Sequence, residues 1–431
     1  MSTECNMKVL SVCTSSVSGG AARAASRIHQ GVNALGCDST MFVKDNGSVK
    51  DKVLSLQDFT PNNALYKAYD WTLNKCKNKW QHYQWGKYPQ RDKIFMSDLR
   101  STSLHGALQK IDFAVLHLHW INQRFFPLSE LQKLNKPIVW TLHDSWPFCG
   151  ICHYFFECEN YKKQCGSCPF LHSDDKDDLS HRIWEKKKKL YEGLDLHIVS
   201  PSRWLADCAR QSGLFGGFPV SVIPNCLDVD AFRPLEEHEI SPRWRNFQEK
   251  RFEKRFVLYG AMNAATDKIK GFANLLSALR LLEQQDHANN FELIVFGADK
   301  PLEGMPTSIP IHYVGYVSDT NELVSLYNLA SVMVVPSLTE NLSCAIMESL
   351  SCGTPVVAFN IGGNADMIEH QKNGYIAREK DDADLANGIL WCLQHNEETD
   401  LSHNARQKVL GNYTPEKVCR QYVDLYQMVA R

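Results

Sequence analysis

The chain has 431 residues, of which 44% are hydrophobic and 22% charged, a composition typical of globular proteins that excludes a largely disordered chain. Its length is about three times the ~150 residues expected of one domain, which predicts two or three domains. The formal charge is −2, from 47 Lys or Arg against 49 Asp or Glu, so attraction of the whole molecule to nucleic acid is not expected.

The N-terminal ten residues are polar and include Glu4 and Lys8, and the apolar run that follows is too short and interrupted for a signal peptide. No apolar run approaches the ~18 residues that cross a membrane. Ten of the fifteen cysteines are scattered singly, as reduced thiols are in a reducing compartment. These features predict a cytoplasmic protein.

Short β-branched runs alternate with longer segments of helical period, a pattern that predicts an α/β fold. The first series of predicted strands is 8–13, 39–43, 112–120, 137–143 and 196–200. The second series is 256–260, 291–297, 311–314, 331–336 and 355–359. Two such series predict two Rossmann-like domains with parallel sheets, which we expect to face a central cleft.

The domain junction is predicted near Pro224, which precedes a polar, basic stretch with little strand character. We therefore expect an N-terminal domain over 1–223 and a second domain over 224–412. A last helix is expected over 413–431 and starts at Thr414 and Pro415. The residues predicted to share its apolar face are Val418, Tyr422, Leu425 and Met428.

The first strand is followed by Gly19 and Gly20, which open a helix that ends near Leu35. Glycines at this position allow backbone N–H groups to approach an anion or a sugar closely. The sequence is not G-x-G-x-x-G, and a tight turn between a strand and a helix explains it equally well.

Histidines occur at the ends of two neighbouring predicted strands. His117 and His119 alternate along 112–120 and therefore share one face, and His143 ends the next strand. Open α/β sheets bind ligands at the carboxyl ends of their strands, so these side chains are predicted to line a cleft. The alternative is that they are hydrogen-bonded residues of the core.

The segment from Pro336 to Pro355 contains the strongest motif in the chain. Glu340 lies in a loop, a helix begins near 341–343, and Glu348 lies within that helix, which ends at Gly353. The free N–H groups of a helix N-terminus bind a diphosphate, and the two carboxylates accept hydrogen bonds from sugar hydroxyls. Ordinary capping of the helix by acidic residues is the alternative.

Glu340 and Glu348 resemble the E-x7-E motif of glycosyltransferase family 4, whose members are retaining enzymes of the GT-B fold and include enzymes of bacterial polysaccharide biosynthesis. The resemblance extends over nearly the whole chain and implies that the last helix, 413–431, returns to the N-terminal domain. The other matching segments occur in the family's order and are Gly19–Gly20, His119, His143, 199–202, Pro224–Asn225, Lys270–Gly271 and Gly362–Gly363.

The resemblance implies roles for single residues. Glu340 contacts the transferred sugar, Glu348 the ribose, and Lys270 the donor diphosphate, while His119 lines the reaction centre and His117 and His143 border the cleft. The same resemblance and the helix N-terminus place Gly19, Gly20, Asn341, Leu342 and Ser343 at the donor. No metal is required for this chemistry, in which the departing phosphate itself helps to deprotonate the acceptor hydroxyl.

One position departs from the family pattern. Members usually carry an Arg about five residues before the Lys, where this chain has Ala265, and Lys268 is predicted to compensate. A Lys supplies a point charge rather than a bidentate fork. A sugar-nucleotide-binding protein without catalysis is therefore one alternative, and a phosphorylase or an epimerase of the same fold is another.

Five cysteines lie between 149 and 168. Four of them form two C-x2-C pairs, a spacing that suits tetrahedral Zn²⁺, and Cys158 lies between the pairs. The alternative is a group of reduced thiols or local disulfides. Relatives carry a similar insertion without a counterpart of Cys149, which favours Cys152, Cys158, Cys165 and Cys168 as the ligands of a structural zinc ion.

The segment 65–95 has seven Lys or Arg against two Asp. It places apolar residues on one face at helical spacing, namely Leu65, Tyr69, Leu73, Cys76, Trp80 and Tyr83. Such a segment binds an anionic membrane surface or docks on the core with its basic face in solvent.

These features together predict a retaining glycosyltransferase. We expect it to move a sugar, a hexosyl group, from a nucleotide-diphosphate donor to a hydroxyl of a glycan or a lipid-linked oligosaccharide. Contact with the cytoplasmic face of the membrane is expected, and contact with nucleic acid is not.

Overall fold

The computed structural model describes residues 7–44, 52–59, 106–261, 267–285, 291–298, 307–395 and 400–431, and, between 71 and 104, residues 71–72, 75–76, 78–79, 83–92, 94, 96–97, 99 and 104. The chain divides into two compact units. The first unit is Met1–Pro224 with Cys419–Arg431, and the second unit is Asn225–Val418.

The first unit contains seven strands in the part of the chain described: β1 (Lys8–Val12), β2 (Asp38–Val43), β3 (Val53–Ser55), β4 (Val115–Leu118), β5 (Ile138–Thr141), β6 (Leu196–Ser200) and β7 (Val220–Val222). They form one parallel sheet of order β3-β2-β1-β4-β5-β6-β7. Every residue of β4 and β5 is buried, as expected of central strands covered on both faces.

The helices of the first unit with bounds inside the described residues include α1 (Gly20–Ala34), α2 (Leu131–Leu134), α3 (Leu179–Tyr191) and α4 (Arg203–Gln211). Helix α1 buries Ala25, Ile28 and Val32 at helical spacing against the sheet. Helix α3 begins after Asp178, whose carboxylate accepts from the backbone N–H groups of Ser180 and His181.

The second unit has six strands among its described residues: β8 (Arg255–Gly260), β9 (Phe291–Phe296), β10 (Ile311–Gly315), β11 (Val332–Val335), β12 (Val356–Phe359) and β13 (Gly374–Ala377). They form a second parallel sheet of order β10-β9-β8-β11-β12-β13. Its helices are α5 (Arg245–Lys250), α6 (Phe272–Gln284), α7 (Thr320–Leu329), α8 (Cys344–Ser351), α9 (Asn364–Met367), α10 (Asp382–His395) and α11 (Leu401–Asn412).

The predicted α/β fold with two Rossmann-like parallel-sheet domains is confirmed. In each sheet the strand order reverses beside the first strand, β1 in the first unit and β8 in the second. The carboxyl ends of β1 and β4, and of β8 and β11, therefore border the crevice where open α/β sheets bind ligands.

The last helix, α12 (Pro415–Val429), supplies residues to the core of the first unit. Its buried side chains are Val418, Cys419, Tyr422, Val423, Leu425 and Tyr426. The prediction that Met428 shares this buried face is wrong, because Met428 is 53% exposed near the end of the helix.

Candidate functional site

Lys270 and Glu340 form an ion pair in the second unit. Lys270 ends a 3-10 turn after β8, and Glu340 lies in the loop between β11 and α8. The Lys270 Nζ atom donates to Glu340 Oε2 over 3.0 Å, with both side chains partly exposed. Two residues predicted from the sequence thus meet at the crevice of the second sheet.

Glycines bring the loops around this pair into close contact. Gly271 has a φ of +70°, and a Cβ atom there would lie 1.8 Å from the carbonyl oxygen of Pro336. Gly362 has a φ of +58°, and its Cβ would lie 1.6 Å from the carbonyl oxygen of Glu340. Only glycine allows both approaches, which place the Lys270 and Glu340 loops against their neighbours.

The N-terminus of α8 lies directly after the Glu340 loop. Its N-cap is Ser343, whose side chain makes no capping hydrogen bond, and the first turn contains no acidic residue. The first N–H groups of a helix carry partial positive charge and bind anions. This end of α8 is therefore suited to a phosphate group, with the Lys270 ammonium in a neighbouring loop as a second positive charge.

Glu348 is held inside α8, where it is 4% exposed. Its Oε2 atom accepts from the hydroxyl of Tyr327 in α7 over 3.1 Å. Burial, and then the neighbouring carboxylate, raise the pKa of Tyr327 well above its usual value, so this phenol remains a donor. The sequence analysis did not identify Tyr327, which looks like any apolar position of its helix.

The other residues predicted at the donor are placed differently. Leu342 is buried in the core of the second unit, so its contribution to a ligand is limited to its backbone. Lys268 is exposed, and among the described residues its ammonium makes no hydrogen bond or ion pair with Glu340. Ala265, the departure from the family pattern, lies outside the described residues.

The three predicted histidines come together in the first unit. His117 lies on β4 and His119 just after it, with ring centroids 4.1 Å apart. His119 Nδ1 lies 3.1 Å from Nε2 of His143, which follows β5. His119 is 2% exposed, and within the described part of the chain its Nε2 atom has no hydrogen-bond partner.

Burial keeps these imidazoles neutral. It lowers the pKa of His117 to about 3 and that of His143 to about 4, and it lowers the pKa of His119 well below the usual value. A neutral imidazole has one donor and one acceptor nitrogen. The site therefore offers hydrogen bonds to hydroxyl groups rather than a positive charge to a phosphate.

Two tyrosines of α12 complete this cluster, and the sequence analysis did not identify them as site residues. The Tyr426 hydroxyl lies 2.7 Å from His117 Nδ1, and the Tyr422 hydroxyl lies 3.1 Å from Oγ1 of Thr141. Thr141 Oγ1 in turn lies 2.8 Å from His117 Nε2.

Asp144, in the loop after β5, is hydrogen-bonded to the segment after β4 beside the histidines. Its Oδ2 atom accepts from the indole N–H of Trp120 over 2.7 Å and lies 2.6 Å from His153 Nδ1. Burial opposes ionisation, but His153 and the N–H groups of Trp146 and Trp120 outweigh it and lower the pKa of Asp144. The carboxylate therefore stays ionised and fixes the loop after β5.

Gly19 and Gly20 start α1 in the first unit. Gly19 is the N-cap with a φ of +91°, and a Cβ atom at either glycine would meet nothing within 4 Å. Helix α1 has no capping side chain and no acidic residue in its first turn. The space around both glycines is thus open, and binding of a sugar or an anion there stays a prediction.

The predicted zinc ligands do not converge on a metal site. Cys152, Cys165 and Cys168 are buried and Cys158 is half-buried, all four as free thiols. Burial raises the pKa of Cys168 to about 12, whereas the hydrogen bond from Cys149 lowers the pKa of Cys152. Among the residues that the structure describes, no group of three or more His, Cys, Asp or Glu side chains is arranged to hold a metal ion.

Part of the predicted basic amphipathic segment 65–95 lies outside the described residues, including Leu65, Tyr69, Leu73 and Trp80. Of the rest, Trp71 and Tyr83 are each 63% exposed. The Lys75 ammonium lies 4.7 Å from the centroid of the Trp71 ring, and the Lys87 ammonium lies 4.7 Å from the centroid of the Tyr83 ring. Across the described chain, the helices are too short or too polar to cross a membrane.

Comparison with known protein families accounts for most of the chain. Residues 18–231 match the family model described as Glycosyltransferase Family 4. Residues 253–395 match the model described as Glycosyl transferases group 1. The two matches fall on the first and second units, respectively.

Two relatives illustrate the range of similar proteins. WcaC of Escherichia coli (strain K12), provisionally assigned as a colanic acid biosynthesis glycosyl transferase, is 24% identical over 340 residues, or 74% of this chain and 76% of its own. A UDP-Gal:alpha-D-GlcNAc-diphosphoundecaprenol alpha-1,3-galactosyltransferase of Escherichia coli is 26% identical over 106 residues, covering 25% of this chain and 27% of its own.

Among solved structures, the chain is similar to Anabaena Alr3699/HepE in complex with UDP-glucose. The TM-score is 0.62 and the sequence identity is 15%. The match covers 98% of this chain and 100% of the Anabaena chain. This likeness establishes the fold.

Proposed function

We propose that this chain, a glycosyltransferase built from a family 4 domain and a group 1 domain, transfers a hexosyl group from a nucleoside-diphosphate sugar. The acceptor is a hydroxyl of a glycan or of a lipid-linked molecule. The transfer retains the anomeric configuration. The observation that carries the proposal is the Lys270–Glu340 ion pair beside the open N-terminus of α8.

The second unit supplies the groups that a leaving diphosphate needs. Negative charge grows on the diphosphate as the bond to the sugar breaks, and fixed positive groups stabilise that charge. Lys270 and the N–H groups at the start of α8 are such groups. Glu340 orients the Lys270 ammonium and accepts hydrogen bonds from the sugar, and the buried Glu348 accepts hydrogen bonds from the ribose.

The first unit supplies neutral hydrogen-bonding groups for the acceptor and the reacting sugar. His119 has a buried Nε2 atom without a partner among the described residues, as expected of a group that is completed by a ligand. His117 and His143 hold its ring in place. The departing phosphate takes the proton of the acceptor hydroxyl, so no side chain acts as nucleophile.

The acceptor class is proposed from the relatives. One is assigned to colanic acid biosynthesis, and another acts on a diphosphoundecaprenol-linked sugar. A lipid-linked acceptor would bring the protein to the cytoplasmic face of the membrane, where the exposed Trp71 and Tyr83 and the nearby lysines suit an anionic surface.

Nucleotide release from UDP-, GDP- and ADP-sugars tests the proposal, first without and then with a lipid-linked or glycan acceptor. We expect one donor to be consumed, and the Lys270→Met and Glu340→Gln variants to lose about a hundredfold or more in kcat, since each removes charge stabilisation or alignment at the diphosphate. The anomeric configuration of the product, read by NMR, tests retention.

Lys250→Met is the matched control, because Lys250 also pairs with a carboxylate of the second unit, that of Glu292 over 2.6 Å, at the opposite end of the strands. Its kcat should stay near that of the wild type. Equal losses in the control and the two site variants would contradict the proposed site. Tight binding of a donor that no acceptor consumes would favour a sugar-nucleotide-binding protein instead.

A further inference from the structure

The two tyrosines of α12 are joined to the histidine cluster by an ordered chain of hydrogen bonds. Tyr426 meets His117 Nδ1 over 2.7 Å, His117 Nε2 meets Thr141 over 2.8 Å, and Thr141 meets Tyr422 over 3.1 Å. All four side chains are at most 1% exposed. Water therefore does not substitute for these partners.

The direction of these bonds follows from the hydrogens available. The bond to His117 is the one hydrogen bond of the Tyr426 hydroxyl among the described residues. If His117 Nδ1 were protonated and donated to Tyr426, the buried phenol hydrogen would have no acceptor, which is costly. Tyr426 therefore donates to Nδ1, and the neutral ring carries its proton on Nε2 and donates to Thr141.

His119 depends on that ring for its own position. Its imidazole packs on His117 with a centroid distance of 4.1 Å and an interplanar angle of 43°. His143 contacts the Nδ1 atom of His119, and the indole N–H of Trp140 donates to the His119 backbone carbonyl over 3.1 Å. The His117 ring thus packs against one face of the His119 ring, and the hydrogen bonds that lead to the two tyrosines hold His117 in place.

We propose that Tyr426 and Tyr422 are positioning residues for glycosyl transfer, which hold His117 as the Nε2–H tautomer in one ring orientation and thereby fix His119 for the substrate hydroxyls. The predicted effect of the tyrosines on catalysis rests on the proposed function. The tautomer of His117 is independent of that function.

Tyr426→Phe tests the proposal because it removes one oxygen atom and keeps the ring. We expect kcat to fall about ten- to a hundredfold while KM for donor and acceptor changes by less than about twofold, since alignment is lost and binding is not. Tyr191→Phe is the matched control, since the buried Tyr191 hydroxyl donates to the Pro147 carbonyl of the same unit over 2.9 Å. Equal losses of kcat in the two variants, or none in Tyr426→Phe, would overturn the proposal.

The His119→Ala background separates positioning from general damage. If Tyr426 acts through His119, then Tyr426→Phe lowers kcat no further once His119 is replaced. A further tenfold loss in that background would show another route and refute the assignment.

Nitrogen-15 NMR of labelled histidines tests the tautomer without any turnover, with the His117 signal identified by its loss in His117→Gln. The wild type should show an unprotonated Nδ1 and a protonated Nε2, and Tyr426→Phe should show both tautomers. A protonated Nδ1 in the wild type would contradict the proposal. If no donor is consumed, the proposed function fails, whereas this measurement still decides what the tyrosines do.

Discussion

His117, His119 and His143 are buried at the ends of two adjacent strands, and at pH 7 each is neutral because burial disfavours the charged imidazole. In the unfolded chain the same groups have a pKa near 6.5 and take up protons first. The stability of the first unit is therefore complete above pH 6.5 and is lost as the pH falls towards 4.

We expect the free energy of unfolding to drop between pH 7 and pH 5 by about 2 kcal/mol for each of His117 and His143, from 1.36 kcal/mol per pKa unit. Thermal or urea unfolding across this range measures the drop. His143→Gln should flatten the dependence, whereas His403→Gln, at an exposed position of α11, should leave it unchanged. A pH dependence that is identical in both variants would contradict the role of burial at His143.

Residue types and spacing predicted Glu340, Glu348 and the three histidines at strand ends and a helix N-terminus, and the family resemblance added Lys270. The structure groups the histidines and pairs Lys270 with Glu340, because the order of strands and helices brings strand ends together. Tyr426 could not be found in this way. It lies 309 residues from His117 in the sequence, and its spacing in α12 is that of an ordinary apolar position. Its partner is set by where α12 packs, which no local pattern encodes.

At the scale of elements, the loop after β11 owes its course to a glycine on a neighbouring loop. Gly362→Ala would place a Cβ 1.6 Å from the Glu340 carbonyl oxygen at a φ of +58°. We expect a loss of about 1–3 kcal/mol in stability from backbone strain and a fall in kcat of at least about tenfold, because Glu340 is displaced. Unfolding curves and steady-state kinetics measure the two effects.

Gly193→Ala serves as the comparison, since Gly193 has a φ of +74° with no atom within 4 Å of a Cβ. It carries the conformational cost alone, about 1–2 kcal/mol, and kcat should not change. A Gly362→Ala variant that keeps wild-type kcat would show that the Glu340 loop tolerates displacement.

The sequence predicted ten strands, and all ten are present, with Leu196–Ser200 correct at both ends. It did not predict β3, β7 or β13, which have three, three and four residues and lie at sheet edges. A short edge strand is buried on fewer sides, so its apolar run is weak, and pairing with its neighbour determines its conformation.

At the scale of the whole molecule, α12 is the part of the chain that completes the first unit. Five of its side chains within the first unit are buried, and fully burying one large apolar side chain contributes about 1.5–3 kcal/mol. Truncation after Tyr413 therefore removes about 10 kcal/mol, comparable to the whole stability of a domain. We expect the truncated chain to lose the cooperative unfolding of the first unit or to aggregate.

Truncation after Gln427 is the control, because it removes only the C-terminal four residues, including the exposed Met428. Calorimetry should show unchanged unfolding. If truncation after Tyr413 left the unfolding of the first unit intact, the packing of α12 would not contribute the stability assigned to it.

The placement of α12 also bears on how the protein is made. Domains generally fold as units while the chain emerges from the ribosome, the N-terminal one first. Here the first unit needs residues 419–431, whereas the second unit is continuous from 225 to 418 and is fully synthesised earlier. The N-terminal half must therefore wait, incomplete at its histidine cluster, until residues 419–431 have been synthesised, and folding of the second unit can precede it.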